Sequence, residues 1–194
     1  MIPVTAQPEP TNFDSTVRKP GQAFLRQVPS PTSEQFKKKN FWKEALPHLK
    51  TAYSSICAYS SFWVPSSCSV DHFQPKVTHP QLAYEWSNYR LADAKINNNK
   101  GNSSQVLDPF HVQPGWFILD VASLWVKAEP TLPTKVFSAV EMTIKTLKLN
   151  DDDLVQMRFE IFCLYRDGNC TIAFLQRCYP FMASEITRQG VQPR

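Results

Sequence analysis

The sequence predicts an α+β protein in which a central β–loop–β–α unit at residues 67–101 sits between an extended, proline-rich N-terminal arm and a helical C-terminal region. Three observations lead there. Residues 1–35 hold six of the sixteen prolines and show little periodicity. Residues 67–73 alternate apolar and polar side chains and end at Gln74-Pro75, as a short strand entering a loop does. Residues 126–194 divide into segments of helical length, one of which opens at Asn150-Asp151 with acids in its first turn.

Taken in order, residues 1–35 form an arm that either floats freely or lies along a partner's surface. Helix begins near Ser33, a suitable N-cap, with Phe36, Phe41, Trp42, Ala45 and Leu49 roughly on one face and an interruption at Pro47. Leu49, Ala52, Tyr53, Ile56 and Cys57 continue near helical spacing over 49–62. Residues 36–125 make the central domain. Within it Ser67–Phe73 and Asn88–Leu91 are short strands, and Ala92–Asn99 is one or two helical turns stopped by Gly101. Trp116 to Leu119 is strand-like, with Leu124–Lys127 as its partner. The C-terminal region, 126–194, holds helices over about 135–147, from Asn150 to near Gly168, and over about 171–189 with a bend at Pro180.

Composition narrows the class. At 194 residues the chain suits one domain with appendages, and 42% hydrophobic with 12% aromatic residues supports a packed core. No run approaches the roughly 18 apolar residues of a membrane span, and the N-terminus lacks a basic-then-apolar signal pattern, so a cytoplasmic location is expected. The five cysteines include no C-x-x-C pair, which favours reduced thiols over a disulfide framework. No phosphate-loop or dinucleotide glycine pattern occurs, and neither nucleotide hydrolysis nor a dinucleotide cofactor has support. The net charge is +4, yet Arg18 to Lys50 alone holds eight Lys and Arg against two Glu. That basic segment, with Phe36, Phe41 and Trp42 interleaved, suits a phosphate backbone as well as it suits a solvated helix face.

The chemistry concentrates at Asp71-His72, with Asn88 sixteen residues after His72 and Asn97 nine further on. Hydrolysis of a phosphodiester needs a water deprotonated near neutral pH, which suits His72, and stabilised charge on the leaving oxygen, which suits a metal ion. Asp71 and Asn97 offer the oxygen donors that Mg²⁺ or Mn²⁺ prefers. As strand neighbours Asp71 and His72 point to opposite sides of the pleat, and Asn88 on the facing strand is placed to pin the loop by hydrogen bonds. Lys76 and Lys100 flank the site as candidate phosphate contacts. Taken singly, each of these residues has an ordinary structural explanation: Asp-His pairs are common, Asn97-Asn98-Asn99 suits a polar turn, and the Asp108-Pro109 turn explains Asp108.

The joint pattern carries a resemblance. Val70-Asp71-His72-Phe73-x-Pro75-Lys76, then Tyr84-Glu85-Trp86-x-Asn88-Tyr89-Arg90-Leu91-Ala92, then Asn97-x-x-Lys100-Gly101 resembles the HNH (ββα-metal) endonucleases. More narrowly it is similar to the small nuclease subunits of Septu-type anti-phage defence systems, including retron-associated ones. That likeness also takes in Val17–Gly21, Ile56–Tyr59 and Leu107–Phe110, and so touches most of residues 1–120. The resemblance implies that His72 is general base, Asn88 the orienting residue, and Asp71 and Asn97 the metal ligands. It implies an ABC/SMC-like ATPase subunit as partner, with a retron reverse transcriptase and its msDNA in some systems, and DNA or tRNA/RNA as substrate. Asn97 stands where many relatives have His, which turns the expectation towards Mg²⁺ or Mn²⁺. The zinc-knuckle cysteines are missing (Ser60, Asp93 and Ile96 stand instead), so structural zinc is not expected. The rival reading is a non-catalytic ββα module that binds nucleic acid or protein as an adaptor.

Overall fold

Two antiparallel ribbons organise the computed structural model, which describes residues 1–194. In the first, β1 (Cys68–His72) pairs with β2 (Tyr89–Asp93), with Asp71 opposite Arg90 and His72 opposite Tyr89. Helix α4 (Ala94–Lys100) follows β2 without a linker, because Asp93 ends the strand and caps the helix: its carboxylate accepts from the N–H groups of Lys95 and Ile96 at 2.9 and 3.3 Å. Gly101 stops the helix at φ 52°, ψ −129°, a conformation open to glycine alone without strain. The second ribbon pairs β3 (Phe117–Asp120) with β4 (Trp125–Ala128), and the alternation of exposed and buried residues along β4 marks a half-buried strand. The chain is therefore α+β.

Four helices form the C-terminal region: α5 (Thr134–Leu147), α6 (Asp152–Arg166), α7 (Ile172–Cys178) and α8 (Pro180–Arg188). The single bent helix expected over 171–189 is two. Pro180 has no N–H to donate, so it starts α8 instead of bending a continuous helix. None of the helices is long and apolar enough to cross a membrane.

The N-terminal segment departs most from the extended arm expected of it. Asp14–Arg18 is π-helical and runs directly into α1 (Lys19–Gln27); α2 (Ser33–Lys38) follows, capped by Thr32 and Gln35. Pro20 lies in the first turn of α1, where a missing N–H leaves no bond unmade. Phe13, Val17 and Phe24 recur at helical spacing and are buried against Phe36, Leu49, Tyr84 and Trp86. Even the irregular start is tied down: Val4 donates to the Pro109 carbonyl at 3.0 Å, and the Trp86 indole donates to the Gln7 carbonyl at 2.8 Å. The segment lies on its own fold. Proline density misled here because the prolines fall outside the helix or in its first turn.

A second difference follows α3 (Leu46–Ala52), which Pro47 opens instead of interrupting. The helix expected over 49–62 ends at Ala52, and the chain turns through Ser54, Ser55 and Ser61, all at positive φ. This turn brings Ala58 to the edge of β2, where it donates to the Leu91 carbonyl at 2.8 Å.

The β1–β2 ribbon separates two apolar cores. Val70 and Leu91 join the N-terminal core, whereas Ala92 and Ile96 join a larger one with Phe62, Leu119, Val140, Leu147 and Met182. The catalytic candidates sit on this divide.

Gly21 marks the closest approach in the N-terminal core, since a Cβ there would stand 2.1 Å from Cγ of Tyr84. Helix propensity alone predicts that Gly21→Ala stabilises by up to about 1 kcal/mol, whereas overpacking against the ring predicts a loss of roughly 1–3 kcal/mol. Urea unfolding is expected to show the loss; a raised midpoint would contradict the close packing.

Candidate active site at the β1–α4 junction

The site is built from the end of β1, the loop that leaves it, and α4. Asn88 fixes the loop. Its Oδ1 accepts from the Gln74 N–H at 2.8 Å, and its Nδ2 donates to the carbonyls of Gln74 at 3.0 Å and Leu82 at 3.1 Å. One buried carboxamide thus clamps both ends of the 74–82 loop.

His72 is 6% exposed, between the edges of Trp42 and Tyr89, with ring centroids 4.9 and 5.2 Å away. Its Nε2 lies 2.9 Å from the Ala83 carbonyl oxygen. A carbonyl can only accept, so Nε2 carries the proton and Nδ1 keeps a lone pair. Nδ1 has no protein partner and is not sealed from solvent. Burial, then the positive charges of Lys76 and Lys100, push the imidazole pKa down from 6.5 to about 3, against the opposing pull of the Ala83 hydrogen bond. The ring is neutral at physiological pH.

Asp71 points to the other side of the strand and is 2% exposed. Tyr59 donates to its Oδ2, and Lys100 Nζ donates to its Oδ1 at 2.9 Å and to the His72 carbonyl at 3.0 Å. Burial and the adjacent carboxylate raise the Tyr59 pKa, so the phenol remains a donor. Lys100 itself is fully buried. The sequence placed it among phosphate contacts; the structure places its ammonium inside, on the carboxylate, out of reach of a surface phosphate. Lys76 is half-buried, 5.2 Å from the Trp42 ring centroid, with its pKa lowered mainly by burial.

Asn97, on α4, donates from Nδ2 to Ser69 Oγ at 2.9 Å and to the Val70 carbonyl at 3.3 Å. The Val70 carbonyl fixes the amide orientation, and Oδ1 is left without a protein partner. Asp71, His72, Lys76 and Asn97 line one cleft of about 70 Å³ with Val70, Pro75, Gly101 and Asn102. That volume holds a few waters or one hydrated ion. Asn88 stands outside it and acts on the loop.

The resemblance implies a divalent ion, for which Asp71 and Asn97 would be the oxygen donors. Asn97 Oδ1 is free, Asp71 retains lone pairs on both oxygens, and hard oxygen donors with room for water are what Mg²⁺ or Mn²⁺ takes. Nowhere in the fold do three or more His, Cys, Asp or Glu converge.

Two larger grooves lie apart from this chemistry. One of about 630 Å³ runs along α3 past Lys43 and Lys50, and one of about 510 Å³ lies between Phe73, Arg90 and Phe110. Beside the second, Arg90 makes a two-pronged ion pair with Asp108 at 2.8 and 2.6 Å and covers the Phe110 ring at 3.5 Å. Asp108 thus does more than form a turn, and Tyr59 serves as a buried donor to Asp71. Neither role has a local sequence signal, because each partner comes from a distant segment. His111 is exposed and His79 half-buried, and both lie outside the cleft.

No protein-family model matches the chain, and no curated protein matches it.

The depressed pKa of His72 has a stability consequence. Between about pH 6.5 and pH 3 the unfolded chain binds a proton that the folded chain refuses, so this residue makes stability fall as pH falls. Chemical denaturation between about pH 7 and pH 5 is expected to show a smaller loss in His72→Asn than in wild type. Equal losses would mean that His72 is not held neutral.

Proposed function

We propose that the chain is a metal-dependent HNH-type (ββα-metal) endonuclease, the effector subunit of an anti-phage complex with an ABC/SMC-like ATPase. The observation that carries this reading is that Asp71, His72 and Asn97 line one small cleft, with His72 Nδ1 and Asn97 Oδ1 left without a protein partner. A divalent ion held by Asp71 and Asn97 would supply neutralisation of the charge that develops on phosphorus and on the leaving oxygen.

The chain's own residues do the rest. Nδ1 of His72 accepts the proton of the attacking water, and the Ala83 carbonyl holds the ring in the tautomer that makes this possible. A ring whose pKa lies near 3 is a weak base in the free protein. An arriving phosphodiester offsets the positive field of Lys76 and Lys100 and raises the ring's proton affinity at the moment it is needed. Lys76, at the cleft wall, faces the phosphate, and Asn88 keeps the loop that carries it in place. The partner half of the reading is supported by apolar side chains that α6 leaves exposed, Met157, Phe159 and Leu164.

One observation favours the rival, a non-catalytic ββα adaptor: the Asp71 carboxylate is already paired with a lysine. The two readings part under mutation. Supercoiled DNA and tRNA are incubated in Mg²⁺ or Mn²⁺ with the chain, alone and co-purified with the products of its neighbouring open reading frames. The nuclease reading expects His72→Ala to lower cleavage by roughly 10²-fold or more. Equal cleavage by wild type and variant, or an output untouched by Asp71→Asn, would favour the adaptor.

A further inference from the structure

Lys100 occupies a position unusual for a lysine. Its side chain is completely buried, its ammonium donates to Asp71 Oδ1 at 2.9 Å and to the His72 carbonyl at 3.0 Å, and Phe73 covers it at 5.7 Å. The carboxylate that would bind a metal is thus neutralised by a cation of the chain itself. Lys76 adds a second positive charge at the cleft wall. With one ammonium seated on the carboxylate and a second at the cleft wall, Asp71 is already compensated before any ion arrives.

We infer that Lys100 is a tethered competitor of the divalent ion for Asp71. The inference rests on the proposed metal role of Asp71 and Asn97 and adds to it a cost of entry. An ion coordinated by Asp71 lies within a few ångströms of the Lys100 ammonium, in a cleft where water screens poorly. Binding then requires that Lys100 shift away from Oδ1 or that the ion tolerate the repulsion, and both weaken affinity. The nucleic-acid phosphate, which brings negative charge to the same cleft, relieves that repulsion. Metal and substrate therefore bind with positive coupling, and the free chain is a weak metal binder.

The test measures Mn²⁺ binding to the substrate-free chain by electron paramagnetic resonance and calorimetry. Lys100→Met and Lys100→Gln, which remove the charge and keep the stem, are expected to lower the Mn²⁺ Kd by roughly tenfold or more. Lys100→Arg, which keeps the charge, is expected to bind as weakly as wild type, and Asp71→Asn to abolish the site. If the neutral variants bind no tighter than wild type while Asp71→Asn loses binding, the competitor role is overturned and the metal site stands. If Asp71→Asn binds as wild type does, the metal reading fails and takes the competitor with it. Thermal melts report whether each variant folds. The wild-type chain provides an arm free of mutation: the buried Lys100 ammonium resonance is expected to shift on adding Mg²⁺, and Mg²⁺ binding at Asp71 that leaves it unchanged would overturn the inference.

Discussion

Lys100 reaches from the last turn of α4 to Asp71 and the carbonyl of His72, and the shape of the cleft follows from that reach. Three parts of the chain meet at one carboxylate: β1 supplies Asp71, α4 supplies Lys100, and the turn after α3 supplies Tyr59. A buried ion pair of this kind contributes little net stability compared with a well-packed apolar pair, but breaking it by removing one partner costs about 3–5 kcal/mol. The pair is better understood as a device for position. It holds α4 against β1, where Asn97 Nδ2 also reaches Ser69 Oγ and the Val70 carbonyl, and it does so with a charge that compensates the buried carboxylate.

The imidazole is positioned by separate means. Trp42 and Tyr89 meet it edge-on, the Ala83 carbonyl sets its tautomer, and Asn88 clamps the loop that carries Lys76 and ends just before Ala83. Those contacts belong to the N-terminal core, to which α1, α2 and α3 contribute. Asp71 and Asn97, by contrast, depend on α4, whose Ile96 is anchored in the larger core. The cleft therefore lies where two independently packed bodies share one ribbon. Rigid support on both sides is what a catalytic pair needs, since small displacements of the reacting groups are costly.

What was legible in the sequence was local. The β–loop–β–α unit announces itself through alternation in residues 67–73 and a glycine that stops the helix at 101, whereas the Asp93 cap falls inside the helix expected from Ala92 and shows only in the structure. Asn88 was expected on the facing strand, but it lies in the turn just before β2. The N-terminal helix was missed because its prolines outweighed the spacing of Phe13, Val17 and Phe24, and the turn through Ser54 and Ser55 was missed because Ile56 and Cys57 mimic a continuing helix. The buried state of Lys100, the Tyr59 hydrogen bond and the Arg90–Asp108 pair were out of reach for a different reason. Each joins segments 12 to 29 residues apart, and a lysine's sequence neighbours do not say whether its ammonium meets water or a carboxylate.

In the proposed nuclease, Asp71 and Asn97 share one ion beside a neutral His72. The most direct measurement is the anomalous difference map of a crystal of the chain soaked in Mn²⁺. A peak about 2.0–2.2 Å from an Asp71 oxygen and from Asn97 Oδ1, with the Lys100 ammonium drawn back, is the predicted result. A map without density there at saturating Mn²⁺, with Lys100 still seated on Asp71, would contradict it.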